Sequence, residues 1–165
     1  MRVRIRPIED SDRETVARII RTVMPDFGAD APGFAIHDPA VDNMYAAYQG
    51  PRSCYLVCEV NGQVVGGGGV GPLQGGDEET CELQKMYFLD SSRGKGLGRQ
   101  LLKVCIREAI SFGYKRMYLE TFHTMESAIG LYEANGFKRI AKSMGNTGHF
   151  ACDNFYLLDL PAENI

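Results

Sequence analysis

The spacing of apolar residues changes period several times along the chain, and each change marks an element. Val3 and Ile5 alternate with arginines, the pattern of a half-exposed strand. Val16, Ile19, Ile20 and Val23 then recur at three and four, the pattern of a helix, with Asp10 or Ser11 placed to cap it and Pro25 to stop it. Residues 26–42 carry Pro32, Gly33 and Pro39 among small residues and read as a loop, after which Val41, Met44, Tyr45 and Tyr48 restore helical spacing as far as Gly50-Pro51. Residues 53–60 and 64–70 are strand formers around Asn61-Gly62, a preferred two-residue hairpin turn, and a polar loop at 71–80 leads to a third strand at 81–89.

The clearest amphipathic helix spans 93–112, where Leu97, Leu101, Leu102, Cys105, Ile106, Ala109 and Ile110 make one apolar face and Gly113 is placed to end it. Residues 117–121 then read as a strand, 125–134 as a helix closed by Asn135-Gly136, and 137–141 and 155–160 as two strands about a loop at 143–149. The order β-α-α-β-β-β-α-β-α-β-β describes a mixed α/β sheet. With 165 residues and neither repeat nor linker, one domain over 1–165 is expected.

Composition narrows the function. At 44% hydrophobic and 24% charged residues the chain is an ordinary globular one. A net charge of −3 argues against a nucleic-acid partner, and any polyanionic ligand must meet a local basic cluster. No window approaches the ~20 apolar residues of a membrane span, and Arg2, Arg4 and Arg6 precede no apolar signal core, so a cytoplasmic location away from membranes is expected. Five cysteines without a C-x-x-C pair fit neither a disulfide framework nor a metal site, and no metal is expected.

Glycine stands out at 19 residues, and its clustering directs attention to two segments. Gly66-x-Gly68-x-x-Gly71 has the spacing of a dinucleotide fingerprint, yet Pro72 follows and no helix begins there, so a bulge or a close backbone approach is the expected reading. The run Arg93, Gly94, Lys95, Gly96, Leu97, Gly98, Arg99 instead lies between a strand and the long helix. Backbone N–H groups converging at a helix start, with three basic side chains beside them, suit a phosphate or pyrophosphate. No G-x-x-x-x-G-K-[ST] run accompanies it, so metal-dependent phosphoryl transfer lacks its parts.

Arg93-x-x-Gly96-x-Gly98 matches the [QR]-x-x-G-x-[GA] signature, and the run from Ala128 through Leu131, Tyr132 and Gly136 to Phe137 matches an A-x-x-L-Y-x-x-x-G-F segment. With both in order over nearly the whole chain, the sequence resembles the GNAT superfamily of acyl-CoA-dependent N-acetyltransferases. The resemblance implies an α/β (α+β) fold: a mixed, mostly antiparallel sheet of about seven strands with about four helices, splayed between strands 4 and 5. It implies acetyl-CoA as cosubstrate, its pyrophosphate on the backbone of Gly94 to Arg99 and its pantetheine amides on the backbone of Met86, Tyr87 and Phe88. One position departs from the pattern, Met125 standing where the family commonly has an asparagine.

Acetyl transfer to an amine needs a base to free the nucleophile, since an ammonium has a pKa of ~10.4, and an acid for the departing thiolate. The resemblance implies Glu82 as general base, directly or through a water, and Tyr132 as general acid. Tyr45, Tyr48, Arg52 and His149 are the expected acceptor-binding residues, with Glu120 and His123 as further polar candidates and Arg52 able to fork onto a carboxylate. Direct transfer to a primary amine of a small molecule or amino-acid-like acceptor is the first reading. A protein lysine or N-terminus as acceptor, a non-catalytic acyl-CoA sensor, and a nucleophilic Cys152 stay open. A homodimer is a further expectation, on the argument that an exposed edge strand at 155–160 would need covering.

Overall fold

The structure, a computed structural model, describes residues 1–161. The strands are β1 (Val3–Pro7), β2 (Cys54–Val60), β3 (Gln63–Pro72), β4 (Thr80–Phe88), β5 (Arg116–Thr121), β6 (Lys138–Ile140) and β7 (Asn154–Asp159). The helices are α1 (Arg13–Asp26), α2 (Met44–Ala47), α3 (Leu97–Ser111) and α4 (Glu126–Ala134), so the expected element order holds. The strands form a single sheet in the order β1-β2-β3-β4-β5-β7-β6, antiparallel except for β4 beside β5.

Each face of the sheet buries its own apolar cluster. Leu101, Leu102, Cys105 and Ile106 of α3 pack on Val70, Leu83, Met117 and Leu119, while Val16, Ala17, Ile20 and Met24 of α1 pack with Tyr48, Tyr55 and Val57 on the other face. The period-two alternation of β4 decides which side chains go where: Cys81 and Leu83 face α3, and Glu82 stands on the opposite side. Lys85 breaks the alternation. Its φ of 48° inserts one extra residue, and the register against β3 shifts between Gly67 and Gly69. After this bulge Met86 and Phe88 pack in the α3 cluster and Tyr87 in the α1 cluster, the reverse of what an unbroken strand would give.

The glycines of β3 make that bulge tenable. A Cβ at Gly67 would lie 2.8 Å from the Leu56 carbonyl and 2.7 Å from the Tyr55 ring, because Tyr55 crosses β3 here and its hydroxyl donates to the Lys85 carbonyl at 2.8 Å. Of Gly66, Gly68 and Gly71, the expected close backbone approach is met at Gly66, where a Cβ would lie 2.6 Å from the Tyr87 carbonyl.

Several expectations are corrected. Helix α1 runs one residue past Pro25 to Asp26, the proline withholding the N–H that would bond to the preceding turn so that the helix ends beside it, and a 3-10 turn at Asp10–Asp12 precedes it, leaving Asp12 rather than Asp10 or Ser11 at its N-cap. Helix α3 starts at Leu97, not at residue 93, because Gly94 and Gly96 both take positive φ. Strand β7 is not an edge. It lies between β5 and the three-residue β6, so the argument for a homodimer through residues 155–160 loses its footing. Among the described residues no helix is long and apolar enough to cross a membrane.

Candidate active site

The site lies where β4 and β5 part. They pair only at Thr80 with Arg116, Cys81 with Met117 and Glu82 with Tyr118, although β4 continues to Phe88 and β5 to Thr121. Beyond Glu82 the β5 side of β4 therefore has no strand partner, and the backbone of Met86, Tyr87 and Phe88 borders the opening.

On one side of the opening lies a groove of about 500 Å³ walled by Phe27, Met86, Phe88, Gly98, Ala128 and Leu131 and closed at its end by the start of α3. Gly96 (φ 75°) is the N-cap of that helix, whose first main-chain bond runs from the Gln100 N–H to the Gly96 carbonyl. The N–H groups just before it are free to face an anion at the positive end of the dipole. Lys95 and Arg99 are exposed, whereas Arg93 is spent locally, donating to the Phe88 carbonyl at 3.0 Å and pairing with Asp90 at 3.1 Å. A Cβ at Gly98 would stand 3.3 Å from Leu131 and 3.7 Å from Met86, so the groove is a cradle that a larger side chain would fill. These features fit coenzyme A. Gly98→Val is expected to raise KM for acetyl-CoA about tenfold, ~1.4 kcal/mol, with a smaller change in kcat; an unchanged KM in initial-rate kinetics would refute this use of the groove.

Met86, Tyr87, Met125 and Tyr132 line this groove and also a smaller, more enclosed cavity of about 50 Å³ behind it. The cavity holds the titratable groups. Glu82 is 5% exposed and burial lifts its carboxyl to about 7, with Glu120 pushing the same way against the hydrogen bond that Gln84 donates at 2.8 Å. The Tyr48 hydroxyl donates to the Gln84 carbonyl oxygen at 2.6 Å and so turns the amide N–H₂ toward Glu82.

Glu82, Glu120 and His149 bring their polar atoms within 4.8 Å of one another. Burial resists ionisation of Glu120, but bonds from His149, Thr147 and Tyr118 outweigh it and hold the carboxyl below its ordinary range. Burial likewise opposes a charge on His149, but Asp38 at 2.8 Å and Glu120 at 3.5 Å raise it to about 9. Lys85 also meets Asp38, at 2.8 Å.

The structure thus gathers Glu82, Tyr132, His149 and Glu120 at the opening, and Tyr48 reaches it through Gln84. Tyr45 is half-buried in the α1 cluster and does not line the cavity. Arg52 is elsewhere: its guanidinium donates to the carbonyls of Phe112 and Glu78 and stacks 3.9 Å over Tyr114, so the expected carboxylate fork is not available. His123 pairs with Asp153 at the surface. Sequence reasoning missed Asp38, Lys85 and Gln84. Gln84 carried a signal, sitting two residues from Glu82 on the same strand face.

A mixed sheet split between two parallel strands, with an anion-binding helix start beside the split and a buried carboxylate behind it, is the arrangement of an N-acetyltransferase. Residues 17–137 match the acetyltransferase (GNAT) family, and the chain belongs to it. An uncharacterized N-acetyltransferase of Escherichia coli, YjgM, is 44% identical over 150 residues, covering 90% of each chain. The N-acetylaspartate synthetase of Danio rerio is 34% identical over 110 residues, covering 66% of this chain and 38% of that protein. Among solved structures, yncA from Salmonella typhimurium, determined with its cofactor acetyl-CoA, superposes with a TM-score of 0.76 at 26% identity over 97% of this chain and 95% of that one.

Proposed function

We propose that the protein transfers an acetyl group from acetyl-CoA directly to the primary amine of a small molecule, with Glu82 as general base and Tyr132 as general acid. The observation that carries this reading is the buried Glu82 in a small cavity that meets the coenzyme groove at Tyr132. A carboxyl poised near 7 is half ionised at neutral pH and competent to take a proton from an ammonium. Acetyl-CoA supplies an activated thioester, and the start of α3 and the open edge of β4 are the groups to hold it.

Burial keeps the Tyr132 hydroxyl well above the ordinary phenol range, so it stays protonated and offers its O–H to the sulfur as negative charge gathers there. Such a phenol serves by hydrogen bonding more than by full surrender of its proton. Tyr132→Phe is expected to lower kcat about 10- to 100-fold, the worth of ~1.5–3 kcal/mol for a hydrogen bond to a charged group. Its melting temperature should barely move, because the ring still packs on Phe137 at 5.8 Å. A kcat equal to wild type would remove Tyr132 from the mechanism.

Direct transfer is supported by Cys152, the thiol that lines the cavity: burial, with Glu120 and Glu82 adding to it, pushes it up to about 12, too high for a thiolate nucleophile. A small acceptor is supported by the cover of the cavity. Phe34 and Ala35 from the loop before α2 form one wall, and that loop is tied to the one before β7 by the Ala151 N–H on the Gly33 carbonyl at 3.2 Å and by His149 on Asp38. A protein chain would need this cover to open.

A further inference from the structure

We propose that Asp38 sets the acceptor class, and that the favoured acceptor is a small primary amine carrying no carboxylate beside its amino group; this rests on the small-amine reading above. Among the described residues lining the cavity, the cations are Lys85 and His149. Both are engaged by one carboxylate that is not itself part of the lining: Asp38, from the loop before α2, lies 2.8 Å from Lys85 Nζ and 2.8 Å from His149 Nε2. The other ring nitrogen of His149 faces Glu120 at 3.5 Å. Arg52, which could have received an acceptor carboxylate, is held on backbone carbonyls away from the site.

The charges around the acceptor nitrogen are therefore two cations against Asp38, Glu120 and, in its base form, Glu82. An incoming ammonium is drawn toward this excess of carboxylate, and an α-carboxylate entering beside it meets repulsion with no unengaged cation to offset it. The rest of the cavity wall reinforces the choice. Met24, Ala29, Phe34, Phe122 and Met125 offer apolar contact, with Phe34 and Phe122 edge to face at 5.0 Å, which suits an aliphatic or otherwise uncharged body.

The test uses pairs that share shape and differ in charge: alaninamide against alanine and valinamide against valine, with release of coenzyme A thiol as readout and rates referred to the ammonium form, the species that Glu82 deprotonates. The wild-type protein is expected to favour each amide by about tenfold or more in kcat/KM. In Asp38→Asn, which leaves Lys85 and His149 without their shared counter-charge, that preference should shrink at least severalfold as the free acids gain. Preference for the free acids by wild type overturns the inference without needing the variant to fold, and so does an unchanged ratio in a variant that melts cooperatively. Turnover of lysine peptides with none of either small series overturns the small-amine reading itself, and this inference with it.

Discussion

Glu82→Gln is expected to lower kcat/KM by about a hundredfold or more, the usual contribution of a positioned general base. The same variant should lose the pH dependence that the carboxyl imposes. Burial raises this group, so below about pH 7 it is protonated and cannot accept a proton, and wild-type activity should climb as pH rises through about 7. Glutamine keeps the shape and can still bond to Gln84 after a flip of either amide, so the fold should survive. The measurement is kcat/KM from pH 5.5 to 9 at saturating acetyl-CoA, referred to the ammonium form of the acceptor, alongside a thermal melt. A folded variant that keeps the wild-type rate and the same inflection would dismiss Glu82 as the base.

The second large effect is on stability. Gly67→Val should cost about 3 kcal/mol, at the upper end of overpacking penalties, and lower the melting temperature by about 6 to 12 °C. The new Cβ meets the Leu56 carbonyl at 2.8 Å, and backbone has less room to give than a side chain. It also strikes Tyr55, whose hydroxyl holds the Lys85 carbonyl, so the bulge in β4 should loosen and acetyl-CoA affinity should fall in the fraction that remains folded. Calorimetry and coenzyme titration of the variant check both parts. A melt within 2 °C of wild type would mean that β3 yields more easily than its packing indicates.

Legibility in the sequence followed sequence distance. Helix α3 and the Asn61-Gly62 hairpin are written in local periodicity and turn chemistry, and they formed where expected to within a few residues. The glycine-rich turn before α3 was equally plain, because a run of residues that tolerate positive φ says what the backbone does there. Glu82 and Tyr132 were singled out by the resemblance to the family, and the structure brings both to the cavity. What stayed hidden were charges that meet across the chain. Asp38 joins Lys85 and His149 from a loop 47 and 111 positions away, and no period or spacing encodes that meeting. Arg52 misled for the same reason: the resemblance puts the acceptor site in the segment of Tyr45, Tyr48 and Arg52, while its positive φ of 55° and the carbonyls of Phe112 and Glu78 settle it elsewhere. The place of β7 between β5 and β6 was likewise a matter of topology that strand propensity does not carry.

The short pairing of β4 with β5 has a mechanical consequence. The sheet is two smaller sheets, β1 to β4 and β5 to β7, fastened together by main-chain bonds over only three pairs of residues and otherwise by the helices that lie across the seam. On the proposed binding, with the cosubstrate's amides along the free length of β4 and its body on α4, the ligand would span that seam as a removable rib. At a concentration a hundred times its dissociation constant such a ligand adds ~2.7 kcal/mol to the folded state. In a cell rich in acetyl-CoA, the enzyme would then owe part of its resistance to unfolding and proteolysis to the molecule it consumes.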